Sequence, residues 1–531
     1  MPPHVDPAGY GLCLALAALI GVMAGSPGIS PVWCWLLAPA ALAANFIASF
    51  QWFASAHTIA FWVACYFVFL ACKRQGRGDR GEVTMAVVLS GTTLALHGLY
   101  QSLIGFDAMS IAGEAPAALH ARVASGRAVA TLGLPGALAG FLALSLPLTL
   151  CRALSADRSR GQRALALVAT VAQAAGLAAT RSAAGVASLA AAGALVLWWS
   201  STAGRRVVAR RLAVALLAAG LAVATLLLAT RFSGGGASDE GAGPLALRAG
   251  NWKVAAMILA DHPLLGAGAG CFGIVFPKYR AWEMNESRFA HNSYLQILAE
   301  CGLPLGVAAL TLAGLLIARL RRLALRPDCG DERFLAISCV AFLLHNLVDF
   351  TFFLPTVGFA FVALAGIAVG RTEQEDGPPK HATSLGRTVG AFVLAAFAIL
   401  VTRADQAREL ARAVVTEPAI GRVEAVRAVN ANPWDPEARS LLSHVLFETG
   451  LSDQNIEVLR EAEAQAQRAA DLDPMTPHHW HQLGRVRLAL RDPLGAFIAL
   501  QRATELYPIK IEYRDDRDRV GTALAREKER R

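Results

Sequence analysis

The sequence predicts an all-α protein in two parts: a polytopic helical membrane bundle of about twelve spans, then a small soluble domain of helical repeats. Three observations carry this. Apolar runs of about 17 to 25 residues, long enough to cross a bilayer, recur through residues 1–402. Lys and Arg gather in short loops between those runs. Beyond residue 402 the chain turns charged and helical, with small and apolar residues recurring at a fixed period.

The bundle comes first. The chain is 55% hydrophobic and 17% charged, which excludes a string of soluble domains. Its net charge of +9 does not ask for a nucleic-acid partner, because the basic residues sit in the loops that face membrane lipids on the cytoplasmic side. The spans are expected to begin near residues 9, 31, 55, 83, 131, 163, 183, 211, 302, 333, 352 and 387. No basic residue precedes the run Tyr10–Ala24, so it reads as a retained span rather than a cleaved signal.

Orientation follows from five basic clusters. They are Lys73, Arg74, Arg77 and Arg80; Arg152, Arg158, Arg160 and Arg163; Arg205, Arg206, Arg210 and Arg211; Arg319, Arg321, Arg322 and Arg326; then Arg371, Lys380 and Arg387. Successive clusters are separated by two spans, so all share one face, the cytoplasm. The loops at 105–130, 231–301 and 349–354, and the tail 403–531, then share the opposite face. By this count the N-terminus also lies outside.

The nine cysteines form no disulfide framework. Cys13, Cys34, Cys65, Cys72, Cys151 and Cys339 lie in or beside apolar runs, where a thiol behaves as a small hydrophobe. Cys271 and Cys301 flank the long loop and are the pair that an oxidising compartment would offer, although neither count nor spacing demands it.

The loop at about 231–301 is the longest polar interruption. A flexible linker, residues 233–243, leads into it. Arg248 and Trp252 are one helical turn apart, on one face. Asp261-His262-Pro263 ends that helix, since proline cannot continue it. Gly266, Gly268 and Gly270 follow, either as turn residues or as a phosphate cradle. His291-Asn292-Ser293 opens the next helix. In the loop at 105–130, His120, Arg122 and Arg127 either border a site or are simply solvated.

The ordered set Arg248, Trp252, Pro263, Gly266, Gly268, Phe272, Tyr279, Ala290-His291-Asn292-Ser293-Tyr294-Leu295, Glu300 and Gly302 resembles the periplasmic loop of the O-antigen ligase and O-antigen polymerase family. The resemblance implies transfer of a glycan from a polyprenyl-diphosphate carrier to an acceptor hydroxyl, at the periplasmic face of the bacterial inner membrane. It also implies that arginines, not a metal, stabilise the leaving diphosphate, with no cofactor. His291 is the motif's histidine and the candidate catalytic base; its ordinary pKa near 6.5 suits proton transfer near neutrality. Alone, it reads as a helix-starting histidine bonded to nearby backbone; the surrounding motif is what turns it into a candidate base.

Arg248 and Arg181 are the candidates for binding the diphosphate, because a guanidinium grips phosphate oxygens at two points. Snorkelling to headgroups is the competing reading for Arg181. The family commonly shows Ser-Arg or Thr-x-Ser-Arg there, whereas this chain has Thr180-Arg181-Ser182-Ala183, a departure that loosens the assignment. Asn292 supports His291 within the motif. Lys278 and Arg280 are further loop cations or interfacial anchors. His345 and Asp349 are four residues apart and either orient an imidazole or satisfy each other at the membrane edge.

In the tail, Pro474 and Pro508 are 34 residues apart, the tetratricopeptide period. Trp480, Leu483, Gly484, Ala496, Leu500, Ala503 and Pro508 match that repeat, with Arg487 where an aromatic is usual. An earlier unit keeps Leu442, Ala462 and Ala469 around an insertion near 450–457, and a half unit ends at Asn432-Pro433. Asp515, Asp516 and Asp518 alternate with arginines and read as a solvated ion-paired face, not a metal site.

Three acceptors compete within the leading reading: a lipid A core sugar, another repeat unit, or a protein hydroxyl. The repeat tail leans toward a protein partner, or is a spacer. A non-catalytic scaffold for polysaccharide assembly is the alternative class. A transporter is disfavoured, since the polar residues crowd at the membrane boundary rather than the midplane.

Overall fold

The computed structural model describes residues 40–74, 77–105, 125–201, 206–233, 244–282, 284–326, 330–373 and 421–530. Among them the regular elements are helical: α1 (Trp52–Arg74), α2 (Arg77–Tyr100), α3 (Pro135–Leu154), α4 (Arg160–Ala179), α5 (Ala183–Trp199), α6 (Arg206–Ser233), α7 (Pro244–Asp261), α8 (Phe272–Tyr279), α9 (Ser293–Ala324), α10 (Gly330–His345) and α11 (Pro355–Glu373). The tail adds α12 (Gly421–Ala431), α13 (Pro436–Ser452), α14 (Ile456–Leu472), α15 (Pro477–Ala489), α16 (Pro493–Leu506) and α17 (Ile511–Arg530).

Seven helices among the described residues are long and apolar enough to cross a membrane, within α1, α2, α3, α4, α6, α9 and α11. The span expected near 183 is a 17-residue apolar helix. That near 333 is the 16-residue α10, packed between α3 and α5. The spans expected near 9 and 387, and the first part of that near 31, lie outside the described residues; residues 40–47 of the latter are helical. So do His120 and Arg122.

A low-dielectric interior favours paired polar atoms, and Gln173 shows such pairing inside the bundle. Gln173 of α4 accepts from Ser145 Oγ of α3 at 2.9 Å and donates to Thr149 Oγ1 at 2.9 Å and Thr92 Oγ1 of α2 at 3.0 Å. One side chain thus ties three helices.

The two ends of the bundle differ in chemistry. At one end the basic clusters meet: Lys73 pairs with Glu373 at 2.8 Å, Arg326 with Glu332 at 3.4 Å, and Arg152 donates to the Gly81 carbonyl at 3.2 Å. That residues from three separate clusters lie at this end is what a shared face demands. The opposite end carries the starts of α3, α5 and α9 and the end of α10. There α3 opens on Gly136, whose missing Cβ leaves room for Asp349: a Cβ would lie 2.3 Å from its carboxylate.

The loop between α7 and α9 is clamped rather than loose. α9 is broken at Gly302 (φ 73, ψ 178), a backbone region open essentially to glycine alone. The turn after α7 fits into that break. Leu303 N donates to Pro263 O at 2.7 Å, Ala267 N to Ala299 O at 3.0 Å and Gly268 N to Glu300 O at 2.9 Å. The buried Glu300 carboxylate accepts from Gly270 N at 2.9 Å and Phe272 N at 3.2 Å, capping the start of α8, where a helix N-terminus favours negative charge. The phosphate-cradle alternative falls here: a Cβ at Gly266 would strike the Glu300 backbone, one at Gly268 would strike Ser49, and one at Gly270 would strike Thr58. Protein already fills that space.

Cys271 and Cys301 are free, buried thiols. Cys271 lies 3.4 Å from Ser49 Oγ, and burial pushes its pKa up to about 11, so it stays protonated.

The tail folds as successive helical hairpins, α13 with α14 and α15 with α16, closed by α17. Asp435 and Asn455 cap the N-termini of α13 and α14, and Asp492 that of α16. Gly484 lets α15 approach α16, since a Cβ there would meet Leu500 at 2.7 Å. The tail is not detached from the membrane part. Met475 and Leu506 enter the same core as Phe272, Val275 and Phe276 of α8. The tail therefore lies on the same side of the bundle as the α7–α9 loop.

Candidate functional site

Asp349 is the meeting point of the polar end. It follows α10 after a short turn and is nearly buried, with 5% of its side chain exposed. Three groups converge on it from three segments. Arg248 of α7 brings a guanidinium nitrogen to 3.7 Å, His345 of α10 brings Nε2 to 3.8 Å, and His291, just before α9, brings Nδ1 to 4.0 Å. His345 Nε2 also lies 3.1 Å from the Gly136 carbonyl.

Local structure explains the convergence. Asn292 is the N-cap of α9, its Oδ1 accepting from the amides of Tyr294 and Leu295 at 3.0 Å each. Ser293 ties this cap to the end of α10: its amide donates to Asn346 O at 2.9 Å and its hydroxyl to Asn346 Oδ1 at 2.7 Å. His291 therefore sits at a junction of two helices, held at φ 54, a left-handed conformation unusual for a non-glycine residue. Strain of this kind persists only where surroundings enforce it. Trp252 enforces it here, its indole donating to the His291 carbonyl at 3.2 Å. The face shared by Arg248 and Trp252 is thus the face that grips the His291–Asp349 pair.

Charge and burial set the imidazole's character. Burial lowers the His291 pKa; Asp349 opposes this, and Arg248 adds to the lowering. Its Nδ1 is buried without a hydrogen-bond partner, while 32% of the side chain remains exposed. The ring packs edge-on against Phe350 at 4.8 Å, and Phe350 stacks on Phe289 at 4.1 Å. A neutral imidazole, walled by aromatics and backed by a carboxylate, is an arrangement that can take a proton from a hydroxyl.

The other sequence candidates are placed elsewhere. Arg181 lies at the same end of the bundle, at the α4–α5 junction, exposed and donating to the Ser125 carbonyl at 3.4 Å. Arg127 binds next to it, donating to the Thr180 carbonyl at 2.9 Å. Lys278 lies over the Tyr279 ring, 4.9 Å from its centroid. Arg280 turns to the tail and pairs with Tyr507 and with Glu286. Sequence reasoning missed both the tail's share in this loop and the aromatic wall, because neither leaves a local signature.

The fold and the polar end together define a multi-pass helical membrane protein with a titratable cluster at one mouth of its bundle. Residues 166–310, which carry Arg181, Arg248 and His291, match the family model described as O-antigen ligase, and this stretch is similar to membrane proteins of that family. No curated protein matches the chain.

Proposed function

We propose that the protein transfers a glycan from a polyprenyl-diphosphate carrier to an acceptor hydroxyl, at the periplasmic face of the bacterial inner membrane. The observation that carries this is the convergence of His291, Arg248 and His345 on Asp349 at one mouth of the bundle. In the step, the acceptor O–H gives its proton to the neutral His291 as its oxygen bonds to the anomeric carbon. The bond from that carbon to the diphosphate oxygen breaks, and the electron pair leaves with polyprenyl diphosphate. Asp349 stabilises the imidazolium so formed, as a buried carboxylate does beside a catalytic histidine. Arg248, with Arg181 at the same rim, takes up charge growing on the diphosphate. No metal is needed for that role, and none of these steps calls on a cofactor.

The tail, residues 403–531, is a tetratricopeptide-like domain on the periplasmic side. Its contact with the α8 loop supports that placement.

The test is transfer by purified, reconstituted protein from a defined polyprenyl-diphosphate glycan, with a chelator present. A lipid-linked sugar, a free glycan and a protein serve as competing acceptors. Wild type should transfer to one of them. His291→Ala should insert and fold yet lose on the order of 10²- to 10⁴-fold in rate, the usual weight of a general base. Equal transfer by both would remove the reading.

A further inference from the structure

We propose that the repeat domain is a positioning clamp for His291, acting through Tyr507 on the segment 280–291. The inference rests on the role of His291 given above. Tyr507, at the end of α16, meets Arg280 and Glu286 on either side of one tight bend. Its hydroxyl accepts from the Arg280 guanidinium and donates to Glu286 Oε1 at 2.8 Å, while Arg280 and Glu286 pair with each other at 3.5 Å. The Arg280 guanidinium also stacks over the Tyr507 ring, 5.6 Å from its centroid.

The bend so held passes its constraint toward the site through a series of short contacts. Arg280 Nε donates to the Met284 carbonyl, closing the bend on itself. Met284 then packs its methyl against Gly250 of α7, where a Cβ would come within 2.9 Å. Asn251 of α7 donates to Ser287 Oγ at 3.3 Å, and Ser287 Oγ donates to the Phe289 carbonyl at 2.7 Å. Phe289 stacks on Phe350, the neighbour of Asp349 and the wall of His291. Every link lies between the tail and the two ends of the His291–Asp349 pair. Apolar contact alone, through Met475 and Leu506, would dock the tail without setting the register of this segment. The polar triad fixes direction, because a tyrosine hydroxyl has one proton to give and must spend it on Glu286 while receiving from Arg280.

The experiment uses the full-length, reconstituted protein and two readouts: steady-state transfer, and hydrogen exchange at residues 281–290. Tyr507→Phe keeps the ring and its packing but removes both hydrogen bonds. It should speed exchange at 281–290, leave α13–α15 unchanged, and lower kcat on the order of 10-fold with KM for the donor unaltered, as a small misplacement of a catalytic group does. Arg280→Lys keeps the charge but loses the fork and should fall between wild type and Tyr507→Phe. Leu494→Ala, exposed on the far part of α16, should change neither readout. A merely structural contact would lower the melting temperature and leave kcat per folded molecule unchanged. Unchanged exchange, or unchanged kcat, in Tyr507→Phe overturns the clamp. Should that variant fail to insert, Glu286→Ala, which removes the acceptor of the Tyr507 hydroxyl and the partner of Arg280, carries the same expectation. A wild type without transfer would overturn the functional reading alone, and the exchange result would still decide the clamp.

Discussion

Asp349 carries more of the site's logic than its place in the chain suggests. It is nearly buried, and three potential cations face it, so its loss leaves Arg248 and both histidines without their shared counter-charge. It also tunes His291. Burial and Arg248 hold the imidazole pKa below its ordinary value, and Asp349 is the influence that raises it. The neutral, proton-accepting form therefore prevails above that pKa, and the rate should fall along an acid limb placed below about pH 6.5. Asp349→Asn takes away the raising influence, so the limb should move to still lower pH while the maximal rate drops. A pH–rate profile of both proteins checks this; a limb that moves upward, or stays put, contradicts the assignment of the limb to His291. The parts of this cluster were legible as residue types, since each stands at a breaker or a helix start. The His345–Asp349 pair was legible in its four-residue spacing; that Arg248 and His291 share the same carboxylate was not, because each lies more than fifty residues from it in sequence.

At the scale of elements, the break in α9 decides where the loop sits. Gly302 is the point at which the turn after α7 enters the helix, and its backbone conformation excludes other residues. Gly302→Ala would set a Cβ 2.3 Å from the Leu264 carbonyl oxygen. Strain in such a glycine-only region costs about 1–3 kcal/mol before any clash is counted. The variant should therefore melt at lower temperature in detergent. It should also lose transfer, because Glu300, two residues earlier, would no longer cap α8. An unaltered melting temperature would show that the kink relaxes freely. The sequence announced breakers at Pro263 and Gly266 and carried Gly302 in the family-like pattern, but not that the first two interlock with the third. Backbone pairing between distant segments has no periodicity to read.

For the whole molecule, the two chemically distinct ends predict a topology that labelling can check. Ser159→Cys, beside Arg158 and Arg160 at the basic end, should react with a membrane-impermeant thiol reagent only after the inner membrane is opened. Glu505→Cys, exposed on the tail, should react once the outer membrane alone is permeable. Labelling of both residues from the same side would contradict the positive-inside reading. Hydrophobic length and composition were enough, by themselves, to announce an all-helical membrane part and a helical tail, because such signals are local and repeat many times. The order of His291, Arg248 and their neighbours was likewise enough to mark the loop. Only tertiary structure brought the carboxylate of residue 349 between two histidines and an arginine, and only tertiary structure joined the tail to the loop through Tyr507 and Arg280. Such contacts depend on how helices pack across the bundle, and packing is set by the summed shape of many side chains rather than by any one stretch of chain.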